Sequence, residues 1–423
     1  MLPAMSIEGR LPFVDALFTA TSAVCVTGLT VVDTGTHFSR VGQWVILVLL
    51  QIGGLGIFTF STFFMVLLRG ETTLRGRLVI QEAMTHFPHR NLMLLLRNIL
   101  LFTFGAEAVG TLLLWLAFRE RLGGPTALYY SIFHSVSSFC NAGFSLWSTS
   151  FEEYAGNAPV CLTVMALIIL GGLGFTVVTE VGVRMIPKRQ EFRRLSLNSR
   201  VVLTTSAALI TSGALLFYLL EHGNSLAVRP LPEQILASFF QSITARTAGF
   251  NTIRIGELTS ATLFILIILM FIGASPGSTG GGIKTTTFTI YLVVIASYLR
   301  GKESANIFGR TIPTPIASKA LATIAAGFLL VIVSTVLIVI LEGRNGDPAS
   351  RESFLPCLFE AVSAFGTVGL STGITPLLEP LSKFVIVATM FAGRVGPLAL
   401  ALSLLGRGAE QRFRYPEENV MIG

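Results

Sequence analysis

The apolar positions of this chain fall into long runs with at most one charged residue each, not into the alternation of strands or the stripe of a soluble amphipathic helix. Residues 41–68, 98–118, 154–179, 201–220, 258–299, 320–341 and 384–405 are each long enough to cross a bilayer, which takes about 20 residues of helix. Between them lie shorter apolar segments, of which 11–24 is the first, that suit helices entering only to half depth. These shorter segments end in four similar strings: TSAVCVTGLT, SSFCNAGFS, ITARTAGFN and VSAFGTVGLS. Aligned on Gly28, Gly143, Gly249 and Gly369, each has Phe ten residues earlier (Phe18, Phe133, Phe239, Phe359) and Leu or Phe immediately after.

The glycines stand 106 to 120 residues apart, a tandem repeat of whole units and not a solenoid. Each unit reads as a spanning helix M1, a pore loop and a second spanning helix M2. Two spans return the chain to its starting side, so the units are parallel. The expected fold is an all-α membrane protein of four parallel M1–pore loop–M2 repeats around a pseudo-fourfold pore, with the first M1 absent. The boundaries expected are 1–90 for repeat one, 91–199 for repeat two, 200–315 for repeat three, 316–405 for repeat four and 406–423 for a cytoplasmic tail. No span precedes the first string, and MLPAMSIEGR is no signal peptide, so the start reads as truncated or mis-assigned.

Composition agrees with a lipid solvent. Of 423 residues, 52% are hydrophobic and 13% charged, about half the charged fraction of a soluble chain, and mean hydropathy is +0.73. The net charge of +7 need not imply nucleic acid. More than half of the 30 Lys and Arg lie in the three loops between units and the tail. By the positive-inside rule that side is cytoplasmic and the glycine strings open outward. Cys25, Cys140, Cys161 and Cys357 lack metal-ligand spacing and read as small buried hydrophobes.

A chain that enters halfway and leaves extended carries unpaired carbonyls at membrane depth, tolerated only where protein buries them or water reaches them. Four such turns facing one axis replace a cation's hydration shell. The expected ion-selectivity filter is Val26, Thr27 and Gly28; Asn141, Ala142 and Gly143; Thr247, Ala248 and Gly249; and Thr367, Val368 and Gly369, with K⁺ at their carbonyls. With one shared glycine per string, discrimination of K⁺ from Na⁺ is expected to be looser than in potassium channels.

The M2 runs match as well. QIGGLG at Gly53, ILGGLG at Gly171, FIGASPG at Gly273 and FAGRVG at Gly393 follow the string glycines by 24 to 28 residues. At the first two sites small residues for close helix packing explain the match. In the third, GASPGSTGGGIKTTT at 273–287 breaks the span with five glycines and a proline. It misses the phosphate-loop pattern, because Ile283 separates Gly282 from Lys284. It reads instead as a flexible gate beneath the filter, made of Gly273, Ser275, Pro276, Gly277, Gly280, Gly281, Gly282 and Lys284, with Arg394 of the last span facing it. Structural roles are expected for Glu107, Arg246 and Glu360. No HExxH, GxSxG or paired-carboxylate constellation appears, so no enzyme is expected. The alternative, a secondary carrier for another cation or small solute, would call for inverted repeats.

These strings, the third-repeat loop and Arg394 together resemble the Trk/Ktr/HKT superfamily of potassium transporters over nearly the whole chain. DALFTATSAVCVTGLTVVDTG and the tail RFRYPEENVMIG look most like the bacterial Ktr membrane, pore-forming subunit. The resemblance implies a multi-pass protein of the bacterial plasma membrane that takes up K⁺, often Na⁺-dependently. It implies a homodimer with one pore per protomer, bound to a cytoplasmic ring of nucleotide-binding regulatory subunits, with no cofactor in this chain. The family begins with a cytoplasmic N-terminus and an M1 helix, from which this chain departs.

Overall fold

The computed structural model describes residues 5–7, 9–56, 92–184, 195–343 and 354–396. The stretches 57–91, 185–194 and 397–423 hold many of the basic residues behind the expected orientation, the second half of 41–68 and the end of 384–405; they lie outside the described residues.

Among the described residues three helices are each long and apolar enough to cross a membrane, and each lies within an M1 helix. They belong to α4 (Leu92–Leu122), α8 (Leu197–Glu221) and α12 (Thr314–Glu342). Only about a third or less of their most apolar windows is buried, because one stripe faces the protein and the rest faces lipid. Four shorter helices lead to the glycine strings: α1 (Phe13–Val24), α5 (Gly124–Phe139), α9 (Leu231–Thr244) and α13 (Phe354–Gly366). At 12 to 16 residues they enter the membrane depth without crossing it. Thr34–His37 forms the single-turn α2.

The second helices of the units are α3 (Arg40–Leu55), α6 (Ala158–Gly172), α10 (Ser260–Phe271) and α14 (Pro380–Val395). Ser39, Asn157 and Thr259 start the first three by accepting from the N–H groups of Gly42, Val160 and Thr262. The third is interrupted as expected, and the other three are not the uninterrupted spans expected. α3 stops at Gly56 (φ 86°), α6 is broken before Gly174 (φ 88°) and α14 stops at Gly396 (φ 98°). Each of these glycines follows Gly53, Gly171 or Gly393 by three residues. A left-handed backbone suits glycine and ends a helix. In the second unit the chain continues as α7 (Phe175–Arg184), bent by 104° from α6, which corrects the single span expected over 154–179. In the third unit the interruption grows into the loop before α11 (Thr285–Leu299). A two-residue antiparallel pair, Asn306–Ile307 with Arg310–Thr311, follows α11 and is the sole sheet among the described residues.

The buried apolar residues form clusters at the junctions between units instead of one central core. Phe133 and Phe144 join Leu47 and Leu50. Phe118 and Phe151 join Phe240 and Phe250. Leu266 and Met270 join Phe359 and Phe365. Phe18 and Leu29 join Ile386 and Met390, tying the fourth unit back to the first. The four junctions close a ring and leave its axis to the glycine turns.

Candidate functional site: a ring of four glycine turns above an intramembrane loop

In every turn two residues adopt left-handed backbone, the string glycine and the residue two places before it. The pairs are Val26 (φ 57°) with Gly28 (90°), Asn141 (58°) with Gly143 (70°), Thr247 (72°) with Gly249 (79°), and Thr367 (50°) with Gly369 (94°). Val, Thr and Thr are β-branched, so the first member of three pairs is held against its preference, at roughly 1–3 kcal/mol each.

The turns touch in cyclic order. A Cβ built on Gly28 would lie 2.4 Å from the Ala142 carbonyl oxygen, and one on Gly143 2.9 Å from that of Ala248. One on Gly249 would lie 2.3 Å from the Val368 oxygen, and one on Gly369 2.2 Å from that of Thr27. Units one, two, three and four thus abut in sequence and the fourth returns to the first, bringing four backbone carbonyls into one ring. Among the described residues no three of His, Cys, Asp and Glu converge on a common point.

Serines that the string alignment passed over brace the turns from behind. Ser22 accepts from the Gly28 N–H (3.1 Å) and donates to the Leu29 carbonyl (2.7 Å). Ser137 donates to the Phe144 carbonyl (2.7 Å), and Ser363 accepts from the Gly369 N–H (3.1 Å). All three stand six residues before their glycine, a signal visible in the strings. The M2 glycines press on the same turns: a Cβ on Gly53, Gly171 or Gly393 would strike the carbonyl of Val24, Phe139 or Phe365, each four residues before a string glycine. Close packing, expected at the first two sites, thus holds at the fourth as well.

The third unit departs by one residue. Ser135 on α5 donates to the Glu107 carbonyl of α4, while Ser242 on α9 donates to the Ile210 carbonyl of α8. Their partner glycines, Gly110 and Gly213, meet those serines in the same way. Ser135 precedes Gly143 by eight residues, whereas Ser242 precedes Gly249 by seven. Phe240, fully buried, therefore fills the place expected for Phe239, which is 37% exposed.

The loop 272–284 lies against the threonines that open the third and fourth turns. Cβ atoms on Gly280 and Gly281 would strike the hydroxyl oxygens of Thr247 and Thr367, and the Gly281 N–H donates to Thr367 Oγ1 (2.9 Å). The Asn141 carboxamide lies 3.3 Å from Thr247 Oγ1, so three of the turns' four left-handed non-glycine residues form one polar patch with the loop. Gly273 and Ile283 pair their backbones at the loop's neck (2.9 Å), beside the crossing of Gly282 over Gly273. Ser275 holds the Thr285 hydroxyl (3.1 Å). Lys284 Nζ donates to the Gly280 carbonyl (2.6 Å), folding back on the loop itself.

The loop is also bonded to the break in the second unit. The N–H groups of Ser275 and Thr279 donate to the carbonyls of Gly172 and Gly171 (3.1 and 3.2 Å). Phe175 donates its N–H to the Gly277 carbonyl (3.0 Å), and Gly174 passes close to Pro276. Arg394 of α14 completes the arrangement, its guanidinium donating to the carbonyls of Thr279 in the loop and Gly53 in the first unit. Gly273, Ser275, Pro276, Gly277, Gly280, Gly281, Gly282, Lys284 and Arg394 thus assemble in one body, and Thr279 joins them unforeseen.

The other singled-out residues lie to the side. Arg246 reaches Ser206 on α8 (3.1 Å) and ties its turn to that helix. Glu360 is fully buried and accepts from the Ser371 hydroxyl (2.6 Å), the Thr372 N–H (3.0 Å) and the Thr375 hydroxyl (2.7 Å). Glu107 is buried on α4 near the Cys140 thiol, 4.0 Å away. The four cysteines are free and buried.

Residues 1–406 match the model of the TrkH family, described as cation transport proteins. The chain is 39% identical over its whole length to the Ktr system potassium uptake protein B of Bacillus subtilis, covering 92% of that protein. It is 39% identical to the protein of the same name from Vibrio alginolyticus (100% of this chain, 90% of the relative). It is 38% identical to the potassium/sodium uptake protein NtpJ of Enterococcus hirae (100% and 92%). The crystal structure of the potassium transporter TrkH from Vibrio parahaemolyticus shares the fold, with a TM-score of 0.72 at 20% identity over 93% of this chain and 79% of that one. The chain belongs to the TrkH family of cation transport proteins and is a helical membrane transporter, not an enzyme.

Proposed function

We propose that this chain is the pore-forming subunit of a potassium uptake system, with the four glycine turns as its selectivity filter. The observation that carries this reading is the closed cyclic order in which Gly28, Gly143, Gly249 and Gly369 meet the carbonyls of Ala142, Ala248, Val368 and Thr27. A dehydrated K⁺ needs several oxygens at once, and a ring of carbonyls offers them without fixed negative charge. The names of the relatives, potassium uptake proteins in three cases, support K⁺ as the cargo. Na⁺ as a further or coupling ion fits the name of the Enterococcus relative.

The loop beneath the ring is the gate in this reading. It lies against Thr247 and Thr367, and Arg394 holds it by Thr279. A cation leaving the ring inward meets this loop and the guanidinium before any open path. The repeats 1–90, 91–199, 200–315 and 316–405 are the four quarters, with 406–423 a tail. Assembly as a homodimer on a cytoplasmic nucleotide-binding ring in the bacterial plasma membrane accords with the Ktr system named in the relatives.

The test is K⁺ uptake by a bacterium lacking its own uptake systems, supplied with this chain and with its Gly143→Ser and Gly369→Ser variants. Growth at low K⁺ that the variants lose, with Na⁺ entry rising relative to K⁺, is the expected result. Unchanged K⁺ over Na⁺ uptake in both variants overturns the filter assignment.

A further inference from the structure

His134 and Glu360 stand nine residues before Gly143 and Gly369. Each reaches past the turn to the strand that leaves it. Leu146, three residues after its glycine, donates its N–H to His134 Nε2 (3.3 Å), and Ser145 Oγ lies 3.1 Å from the same nitrogen. Thr372, three residues after its glycine, donates its N–H to Glu360 Oε1 (3.0 Å), and Ser371 donates its hydroxyl there (2.6 Å). The two side chains, an imidazole and a carboxylate, thus make one and the same clamp. His134 can accept at Nε2 only as the neutral ring with its proton on Nδ1, and that nitrogen lies 2.8 Å from the Tyr130 carbonyl, which only accepts. Trp147 stacks on the imidazole at 4.2 Å and holds it in this orientation.

The other two quarters lack the clamp. In the first, Thr19 holds this place and turns its hydroxyl back to the Asp15 carbonyl one helical turn away (2.9 Å). In the third, the one-residue offset puts Gln241 here. Gln241 is fully buried, and neither end of its amide has a partner among the described residues. The same offset gives Thr244 the place of Ser22, Ser137 and Ser363, and its hydroxyl is unpartnered too, as is that of Thr252 on the departing strand. The departing segment of unit three is tied to unit two instead: the Asn251 N–H donates to Ser150 Oγ (3.2 Å) and the Asn251 carbonyl accepts from the Phe151 N–H (3.0 Å).

Because the turns abut in the order one, two, three, four, the clamped units two and four face each other across the ring. We propose that His134 and Glu360 are the positioning residues of the ring. They fix its width along one diagonal, by a tie from the pore helix to the third residue after the glycine that units one and three do not have. Discrimination by size needs oxygens that resist closing onto a smaller cation, and the clamped diagonal supplies that resistance. The inference rests on the ring being the filter.

The test is the ratio of ⁸⁶Rb⁺ to ²²Na⁺ influx into proteoliposomes holding the full chain. His134→Leu removes the acceptor; His134→Gln restores an acceptor near Nε2; Glu360→Gln keeps volume but turns one acceptor into a donor; Gln241→Leu removes the unpartnered amide. The expected result is a ratio reduced about fivefold by His134→Leu and by Glu360→Gln, as the loss of one ordinary hydrogen bond implies. His134→Gln should recover it, and Gln241→Leu should leave it unchanged. If His134→Leu does not fold, Glu360→Gln alone decides. An unchanged ratio in a folded clamp variant overturns the proposal, as does a Gln241→Leu effect equal to that of Glu360→Gln. Gly369→Ser separates the two readings: if it collapses the ratio while the clamp variants do not, the filter stands and the clamp falls.

Discussion

Lys383 Nζ lies 2.8 Å from Asp15 Oδ1, joining the last described helix to the first across 368 residues of sequence. Asp15 is in the first turn of α1 and Lys383 in the first turn of α14. The pair therefore ties the junction at which unit four meets unit one. Both side chains are mostly buried, at 18% and 10% exposed. Asp15→Asn should lower stability by about 2 kcal/mol, between the values typical of exposed and of buried pairs. The double variant with Lys383→Met should be more stable than Asp15→Asn alone, because no cation is then left unpaired. Thermal unfolding in detergent checks both.

The four string glycines should not tolerate a methyl group equally. The Cβ would sit 2.2 Å from a neighbouring carbonyl oxygen at Gly369 and 2.3 Å at Gly249, but 2.9 Å at Gly143. Alanine at Gly369 or Gly249 should abolish K⁺ uptake, whereas alanine at Gly143 should retain a measurable part of it. Equal loss at all four would show that left-handed backbone, and not crowding, governs the effect.

Arg394→Ala should raise K⁺ flux in proteoliposomes, and so should deletion within 277–282. Arg394→Lys should behave nearly as Ala does, because one guanidinium serves the Thr279 and Gly53 carbonyls together and an ammonium lacks the fork. Thr367→Val removes the acceptor for the Gly281 N–H and should give a smaller rise, with the loop loosened by about 1 kcal/mol. Flux unchanged in all of these, with the protein folded, contradicts the gate.

The offset of the third unit gives a simple stability test. Phe240→Ala should cost about 3–5 kcal/mol and Phe239→Ala much less, since only Phe240 is buried. The reverse order would restore the gapless register of the strings.

Much of this architecture was legible in the sequence because glycine, phenylalanine and uncharged length recur together. The offset at Phe239 was not legible: aligning ITARTAGFN on its glycine forces equal helix lengths, and the missing residue shows only where Ser242 meets Ile210. The breaks at Gly56 and Gly174 were hidden because GGLG reads as a helix-packing patch, that at Gly396 because Arg394 dominates the reading of GRVG, and nothing local marks left-handed backbone at any of them. Gly281 and Thr367 were each singled out, but their bond joins residues 86 apart, and no spacing rule reports such a meeting. Arg394 was legible for the opposite reason, as a lone charge in an apolar run that needs acceptors.

The second unit's broken M2 has a consequence for how the loop could ever leave. A helix break at membrane depth strands carbonyls at one end and N–H groups at the other. Here Ser275, Gly277 and Thr279 take up Gly172, Phe175 and Gly171. In an unbroken helix the Phe175 N–H would bond the Gly171 carbonyl instead, the same two groups the loop now separates. Loop and helix thus draw on one set of bonds that cannot serve both. If the loop left, the groups it freed would be those that a straight helix from α6 into α7, with Gly174 out of its left-handed state, requires.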